Sequence, residues 1–242
     1  MVHGRLSIIE CGLWTIDCGL QWTVDYELWT FYLETMFIKI CGMRDSANIL
    51  DIASLKPDLM GFIFYSKSRR YVGEDFDPAI IRSVMPEVRT VGVFVNDDVE
   101  LILQQVKKYS LDFVQLHGNE SPVSCHKIQE KGVKVLKAFG IHANFDWKAL
   151  ESYIGFCDYF LFDTSTKDYG GSGTKFDWSI LKNYKLQYPF VLSGGIGPED
   201  AENIKKLKHP SLAGIDINSK FEIEAGFKDI DKLRKFMTDL NC

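Results

Sequence analysis

The stretch FIKICGMRDSANILDIAS, residues 37–54, joins a strand pattern to a helix pattern within one short segment. Residues 37–41 form a short, mostly apolar run, which is typical of a strand that is buried on both faces. Asp45 and Ser46 follow after a glycine-containing turn, and both residue types are common where a helix begins. The stretch therefore predicts one β-strand that leads directly into one α-helix.

The same order of strand and helix recurs along the chain from Met36 onward. Each predicted strand is followed by a segment with helical spacing that begins with Asp, Ser or Pro. The eight predicted strands lie at residues 37–41, 58–64, 90–95, 112–117, 133–139, 158–163, 188–195 and 213–218. Eight such units in about 200 residues match the lower size limit of an α/β fold, the (β/α)8 or TIM barrel. We expect this barrel over residues 36–242, and a doubly wound open sheet is the alternative.

The composition is that of an ordinary globular chain, because 46% of the residues are hydrophobic and 25% are charged. A net charge of -5 argues against a nucleic-acid partner, which would require a basic surface. The six cysteines contain no CxxC pair, and no secretory signal is recognisable, so we expect reduced thiols and a cytoplasmic location. No apolar segment is long enough to cross a membrane.

The first 35 residues differ from the rest of the chain. They contain three related copies of a short unit, IECGLWT at 9–15, IDCGLQWT at 16–23 and VDYELWT at 24–30. We interpret residues 1–35 as a poorly ordered extension outside the barrel, produced by a start codon assigned too early, with Met36 as the natural first residue. A functional appendage, built as an edge strand or hairpin, is the alternative.

Polar or small residues stand at the carboxyl ends of the predicted strands. In a TIM barrel the active site forms at this end, so these residues are the candidates for binding and catalysis. They are Cys41, Arg70, Gln115, His117, Asp163, Ser193, Gly194, Gly195, Asp216, Asn218 and Ser219.

Glycine-rich loops after the last three predicted strands indicate a phosphorylated ligand. Residues 170–176 include Gly171 and Gly173, and residues 193–200 and 216–219 are similarly rich in small residues. Backbone N–H groups in such loops can surround phosphate oxygens, and barrels often bind phosphate after strands 7 and 8.

Six motifs at these strand ends resemble the phosphoribosylanthranilate isomerase family of tryptophan biosynthesis. In chain order they are KICGMRD (39–45), GFIFYSKSRRYV (61–72), VGVFVND (91–97), VQLHGNE (114–120), LFDTSTKDYGGSGTKFDW (161–178) and LSGGI (192–196). The resemblance runs from Met36 to the C-terminus and leaves residues 1–35 outside.

The resemblance implies an Amadori rearrangement of N-(5-phosphoribosyl)anthranilate to 1-(o-carboxyphenylamino)-1-deoxyribulose 5-phosphate, without a metal or organic cofactor. It implies that Cys41 is the general base, that Asp163 is the general acid and that Arg70 binds the anthranilate carboxylate. Gln115 and His117 would support the site, and Asp216 would lie near the ribose hydroxyls.

The two implied catalytic groups must start as a thiolate and a carboxylic acid. From ordinary pKa values, that pair lies about 6 kcal/mol above the thiol and carboxylate in water. We therefore expect a nearby helix N-terminus to stabilise the thiolate of Cys41. Burial and the negative charges of the substrate would keep Asp163 protonated.

The chain departs from the family pattern at two places, and each limits what can be transferred. Thr174 and Lys175 replace the usual Lys-Thr order, and Asn218, Ser219 and Lys220 replace a Ser-Ser-Gly sequence. The Asn218, Ser219 and Lys220 sequence still offers hydrogen-bond donors to a phosphate, because asparagine and backbone N–H groups can both donate.

Simpler interpretations of the same residues remain open. Cys41 could be a buried core residue, Asp163 could cap a loop, and His117 has no second ligand at metal-binding spacing. Other phosphate-binding barrels, which would use a catalytic lysine or a metal, and a non-catalytic sugar-phosphate binder are the alternative functions. Both a monomer and a homodimer are compatible with the sequence.

Overall fold

The computed structural model describes residues 36–164 and 175–241, which form a closed barrel of eight parallel strands. The strands are β1 Phe37–Ile40, β2 Leu59–Ile63, β3 Arg89–Phe94, β4 Phe113–Leu116, β5 Lys134–Ile141, β6 Tyr159–Thr164, β7 Phe190–Leu192 and β8 Leu212–Ile217. Each strand pairs with the next in sequence, and β8 pairs with β1 to close the ring. The predicted TIM barrel is confirmed, and the open sheet is excluded. The predicted extension at 1–35 and the candidates Gly171 and Gly173 lie outside the described residues.

Most of the connections between strands are α-helices. They span Ser46–Ala53, Pro78–Arg82, Val99–Tyr109, Pro122–Gln129 and Ala201–Lys206, and a further α-helix, Ile230–Asn241, follows the last strand. The side chain of Asp45 caps the first helix by accepting a 2.8 Å hydrogen bond from the N–H of Asn48. The described part of the chain contains no helix that is long and apolar enough to cross a membrane.

The connections after β5 and β6 are 3-10 helices, Trp147–Tyr153 and Trp178–Asn183, where the sequence pattern predicted ordinary helices. Large apolar residues recur every three positions, at Trp147, Leu150 and Tyr153 in the first helix, and at Trp178 and Leu181 in the second, with Tyr184 directly after it. A 3-10 helix has three residues per turn, so this spacing directs all three side chains to one face. Leu150 is fully buried as a result.

Two shorter 3-10 turns and a small hairpin complete the fold. The turns are Pro198–Asp200, after β7, and Ser219–Phe221, after β8. Directly after the second turn, β9 Glu222–Glu224 and β10 Phe227–Lys228 pair antiparallel as a hairpin. This hairpin contributes two charged residues to the site described below.

The barrel has two separate apolar cores because strand side chains alternate between its inside and its outside. The inner core consists of Leu59, Val91, Phe113, Leu136, Ala138, Leu161 and Val191, with Phe37 and Tyr159 packed against it. The larger outer core lies between the strands and the helices. The same alternation determines which residues point into the barrel further along each strand.

On β1, β4, β6 and β7 the inward position two residues beyond the inner core, toward the carboxyl end of the strand, is polar. Lys39 follows Phe37 on β1 at this spacing, and Gln115 follows Phe113 on β4. Asp163 and Ser193 stand two residues after Leu161 and Val191. These polar side chains therefore lie between the apolar inner core and the carboxyl-terminal end of the barrel, where the sequence predicts the site.

Candidate active site

Cys41 lies at the end of β1, where its backbone N–H donates a 2.9 Å hydrogen bond to the carbonyl of Ile217 on β8. The residue is 3% exposed. Its side chain points toward Gly61 on β2, since a Cβ atom at that glycine would lie only 2.8 Å from Cys41 Sγ. The predicted base is therefore held inside the rim of the barrel, in space that a larger residue at position 61 would fill.

Lys39 lies one inward position below Cys41 and is completely buried. Its ammonium group donates a 2.7 Å hydrogen bond to Asp216 Oδ1 on β8, and the other oxygen of Asp216 accepts a 3.1 Å bond from Ser193 Oγ. Both carboxylate oxygens of Asp216 are thus held by groups of the chain itself. The prediction that Asp216 contacts the ribose stays a prediction, and its observed partners lie inside the barrel.

His117 connects the predicted acid to β4. Its Nε2 atom lies 3.3 Å from Asp163 Oδ2, and its Nδ1 atom lies 2.7 Å from the side-chain nitrogen of Gln115. With the side-chain nitrogen of Gln115 donating to Nδ1, the Nε2 atom is the ring nitrogen that carries a proton toward Asp163. Within the described residues, Gln115 Oε1 is buried and has no hydrogen-bond partner. The structure therefore brings together three of the predicted residues.

Arg70 forms a bidentate ion pair with Glu222, with distances of 2.8 Å from Nε and 2.6 Å from Nη2. Lys228 donates to the same carboxylate at 2.7 Å and to Asn218 Oδ1 at 2.7 Å. The Cδ atom of Arg70 and Asn218 Oδ1 both lie against Gly42, next to Cys41. The loop after β2 is in this way joined to the hairpin after β8, beside the predicted base.

The loops after β7 and β8 contain the predicted phosphate-binding residues. Ser193 uses its backbone N–H in a 2.8 Å bond to the carbonyl of Phe162, and Ser219 begins the 3-10 turn after β8. Gly194 and Gly195 have positive φ values of 88° and 69°. A phosphate site at these loops stays a prediction.

Lys175, whose position differs from the family pattern, forms an ion pair with Asp200. Lys175 Nζ lies 2.6 Å from each carboxylate oxygen, and Asp200 also accepts a 2.7 Å bond from the N–H of Gly197. These contacts tie the chain after β6 to the loop after β7. The structure thus gives Lys175 a partner within the chain.

The charges around Cys41 act on its protonation in opposite directions. Burial raises the pKa of the Cys41 thiol, Lys39 lowers it, and Asp216 raises it. Burial lowers the pKa of Lys228 to about 8, although Glu222 acts to raise it. Burial acts to raise the pKa of Glu222, but the hydrogen bond from Arg70 and the charge of Lys228 outweigh it and hold that pKa below its ordinary value.

Sequence reasoning missed Lys39, Glu222 and Lys228. Lys39 had a recognisable signal, because a lone charge at an inward position of an apolar strand is costly unless it is paired. Glu222 and Lys228 follow the last predicted strand, and no local pattern marks them. No group of three or more His, Cys, Asp or Glu residues that could hold a metal ion occurs within 36–164 and 175–241.

The chain is similar to known proteins over nearly the whole barrel. Residues 38–239 match the family model for N-(5'phosphoribosyl)anthranilate (PRA) isomerase. An N-(5'-phosphoribosyl)anthranilate isomerase from Parabacteroides distasonis is 49% identical over 206 residues, which cover 85% of this chain and 93% of the relative.

Solved structures show the same similarity. The crystal structure of the phosphoribosyl anthranilate isomerase from Thermotoga maritima gives a TM-score of 0.77 at 35% identity, covering 86% of this chain and 99% of that one. A second phosphoribosyl anthranilate isomerase, in complex with reduced 1-(o-carboxyphenylamino)-1-deoxyribulose 5-phosphate, gives 0.74 at 32% identity with the same coverage. The chain belongs to the phosphoribosylanthranilate isomerase family.

Proposed function

We propose that Cys41 and Asp163 divide the proton transfers of the isomerase reaction that converts N-(5-phosphoribosyl)anthranilate to 1-(o-carboxyphenylamino)-1-deoxyribulose 5-phosphate. One observation carries the assignment. Cys41 continues the inward positions of β1, and Asp163 continues those of β6, at the same end of one closed barrel. A sugar bound across this mouth could meet a thiol and a carboxyl group from different walls.

The reaction needs an acid first. Asp163 protonates the ribose ring oxygen, the bond from that oxygen to C1 breaks, and the nitrogen lone pair forms an iminium ion. The Nε2–H group of His117, 3.3 Å from Asp163 Oδ2, then stabilises the carboxylate that remains. This hydrogen bond favours proton donation, because it is strongest to the ionised product form of Asp163.

The base acts second. The thiolate of Cys41 removes the proton from C2, and the electron pair of that bond forms the C1–C2 double bond of an enolamine. Tautomerisation of the enolamine gives the ketose product. No metal or organic cofactor takes part in these steps as we propose them.

Arg70 and the glycine-containing loops would hold the two ends of the substrate. The pair with Glu222 uses Nε and Nη2 of Arg70, so we assign Nη1 to the anthranilate carboxylate. Gly194, Gly195 and Ser219 would surround the phosphate with backbone N–H groups. Gly171 and Gly173 are proposed for the same phosphate on the resemblance alone.

The test is the loss of phosphoribosylanthranilate fluorescence when the purified chain is added, repeated with Cys41→Ser and Asp163→Asn. We expect each substitution to lower kcat by a factor of about 100 or more, which is the usual contribution of a general acid or base. Cys125→Ser is the matched control, because Cys125 is buried on the helix Pro122–Gln129 and outside the mouth. Full turnover by either variant would reject the role of that residue, and binding without turnover by the unmodified chain would favour the non-catalytic binder.

The substrate is a small molecule, and three finer points concern the chain as a whole. A monomer and a homodimer are both kept open, and light scattering on the purified chain separates them by mass. A cytoplasmic location and the lack of a nucleic-acid partner also stay predictions from the sequence, which cell fractionation and a gel-shift assay test.

A further inference from the structure

Lys39, the charged residue of β1, has no role in the mechanism proposed above. Lys39 is fully buried, and its ammonium group lies close to the thiol of Cys41. A Cβ atom placed on Gly61 would be 2.8 Å from Cys41 Sγ and 3.1 Å from Lys39 Nζ. Both atoms therefore lie over the same glycine, within the range in which an opposite charge favours ionisation, about 4–6 Å.

Lys39 is also held in one place. Asp216 Oδ1 lies 2.7 Å from Lys39 Nζ, and Ser193 Oγ fixes the second oxygen of Asp216 at 3.1 Å. The register of the sheet places Lys39 directly opposite Asp216, so the ion pair follows from how β1 meets β8. The ammonium group thus has the carboxylate of Asp216 on one side and the sulfur of Cys41 nearby.

The charged groups that face Cys41 are Lys39 from β1, Arg70 from the loop after β2, Asp216 from β8 and Lys228 from β10. Glu222 completes this group, because it pairs with both Arg70 and Lys228. Three of these five side chains are cations when ionised, and two are carboxylates. A thiolate at Cys41 would supply the third negative charge.

We propose that Lys39 is a positioning residue that stabilises the thiolate of Cys41, with Asp216 and Ser193 holding the ammonium group in place. The inference rests on the proposed role of Cys41 as base. It names Lys39 as the source of the stabilisation that the sequence led us to expect from a helix N-terminus. Lys39 acts through Cys41 and does not itself exchange a proton with the substrate.

The experiment measures the titration of Cys41 directly. Ultraviolet absorbance of the thiolate is followed against pH in the full chain, and the same titration of Cys41→Ser supplies the blank. Lys39→Met removes the charge while keeping most of the volume, and folding is checked by circular dichroism. We expect the midpoint of thiolate formation to rise by about 1–3 pH units, the usual effect of losing a close opposite charge.

Lys39→Met leaves Asp216 buried without its partner, so a second variant avoids this cost. Lys39→Met combined with Asp216→Asn removes both charges, and we expect a smaller rise, because Asp216 raises the pKa of Cys41 and Lys39 has the larger effect. The matched control is Lys137→Met with Glu120→Gln. That pair is also a buried lysine and carboxylate, 3.0 Å apart, on the outer side of β5.

An increase in the midpoint in either Lys39 variant, with none in the control pair, supports the proposal. An unchanged midpoint in the folded double variant overturns it. This test and the test of the proposed function give separate answers. Full turnover by Cys41→Ser would remove the role of Cys41 as base, and the titration would still show whether Lys39 stabilises its thiolate. If both hold, the pH at which turnover rises to its plateau shifts upward together with the thiolate midpoint.

Discussion

Arg70 and Glu222 are joined by two hydrogen bonds of 2.8 and 2.6 Å, although 152 positions separate them in the chain. The planar guanidinium group matches a carboxylate with two parallel bonds, which fixes its orientation as well as its position. Glu222 therefore determines where the remaining face of Arg70 points. The predictions below test this pair and three other features of the barrel.

Glu222→Gln removes the charge that Arg70 and Lys228 share. We expect the free energy of unfolding to fall by about 3 kcal/mol, because two nearly buried cations lose their carboxylate. KM should rise about tenfold, with a smaller change in kcat, since a misdirected Arg70 weakens binding more than proton transfer. Urea denaturation and steady-state kinetics measure the two effects.

The control for Glu222 is Asp231→Asn, which breaks an exposed 2.6 Å ion pair with Arg234. Its effect on stability should stay within about 0.5 kcal/mol. A normal KM in Glu222→Gln would show that Arg70 does not depend on this carboxylate.

Gln115→Leu tests how the His117 ring is oriented. The substitution keeps the size of a buried side chain but removes the 2.7 Å hydrogen bond to Nδ1. The ring then loses the contact that directs Nε2 toward Asp163, and we expect kcat to fall about tenfold.

Gln129→Leu is the comparison for that variant, because it removes a 3.0 Å side-chain hydrogen bond to Asp158, which precedes β6 at the opposite end of the barrel. It should lower stability and leave kcat unchanged. Equal kcat values for Gln115→Leu and the unmodified chain would contradict the proposed orientation.

Gly194→Ala tests the close approach of the loop after β7 to Asp163, the proposed acid. Gly194 has φ of 88°, and an added Cβ atom would lie 2.4 Å from Thr164 Oγ1 and 2.9 Å from Asp163 Oδ1. We expect a loss of stability above the cost of the left-handed backbone alone, about 1–2 kcal/mol, and a clear fall in kcat as Asp163 is displaced.

Gly132→Ala separates backbone strain from displacement. Gly132 also has a positive φ, 79°, but an added Cβ atom there would meet nothing within 4 Å. It should lose stability without losing turnover. Equal kcat values in the two variants would mean that Gly194 does not position Asp163.

The lowered pKa of His209 makes the stability of the fold depend on pH. Burial lowers the pKa of His209 below its ordinary value of 6.5, and its Nδ1 atom accepts a 3.2 Å bond from the N–H of Ser211. The unfolded chain therefore binds this proton at a higher pH than the folded chain does, so stability should fall as the pH drops below 6.5.

His209→Asn keeps an acceptor for Ser211 and removes the titration. We expect the free energy of unfolding of this variant to decline less steeply between pH 6.5 and the lowered pKa. Chemical denaturation at several pH values measures the difference. Parallel curves for the variant and the unmodified chain would exclude His209 as a source of acid sensitivity.

The barrel itself was predictable because its signals are local. Each strand is a short apolar run followed by a helix start, and Cys41 and Asp163 could be chosen because they end such runs. The 3-10 helices were missed, although the three-residue spacing of Trp147, Leu150 and Tyr153 is visible in the sequence. That error concerned the type of helix and not its place.

The partners of the site residues were not predictable in the same way. Lys39 and Asp216 are 177 positions apart, and which residue meets Lys39 depends on the register between β1 and β8. A shift of that register by one residue would turn Asp216 to the other side of the sheet. The role of Glu222 likewise depends on a hairpin that no predicted strand included.

The contacts that join the early strands of the barrel to β8 and the hairpin after it determine when the site can form during synthesis. Lys39 forms an ion pair with Asp216, and Arg70 forms one with Glu222. Asn48 exchanges two hydrogen bonds with the backbone of Lys228. Contacts of such long sequence separation form late, because the intervening chain must first be ordered. A growing polypeptide on the ribosome would carry Lys39 without its counter-ion until β8 emerges, so the ion pair inside the barrel can form only after translation has passed Asp216.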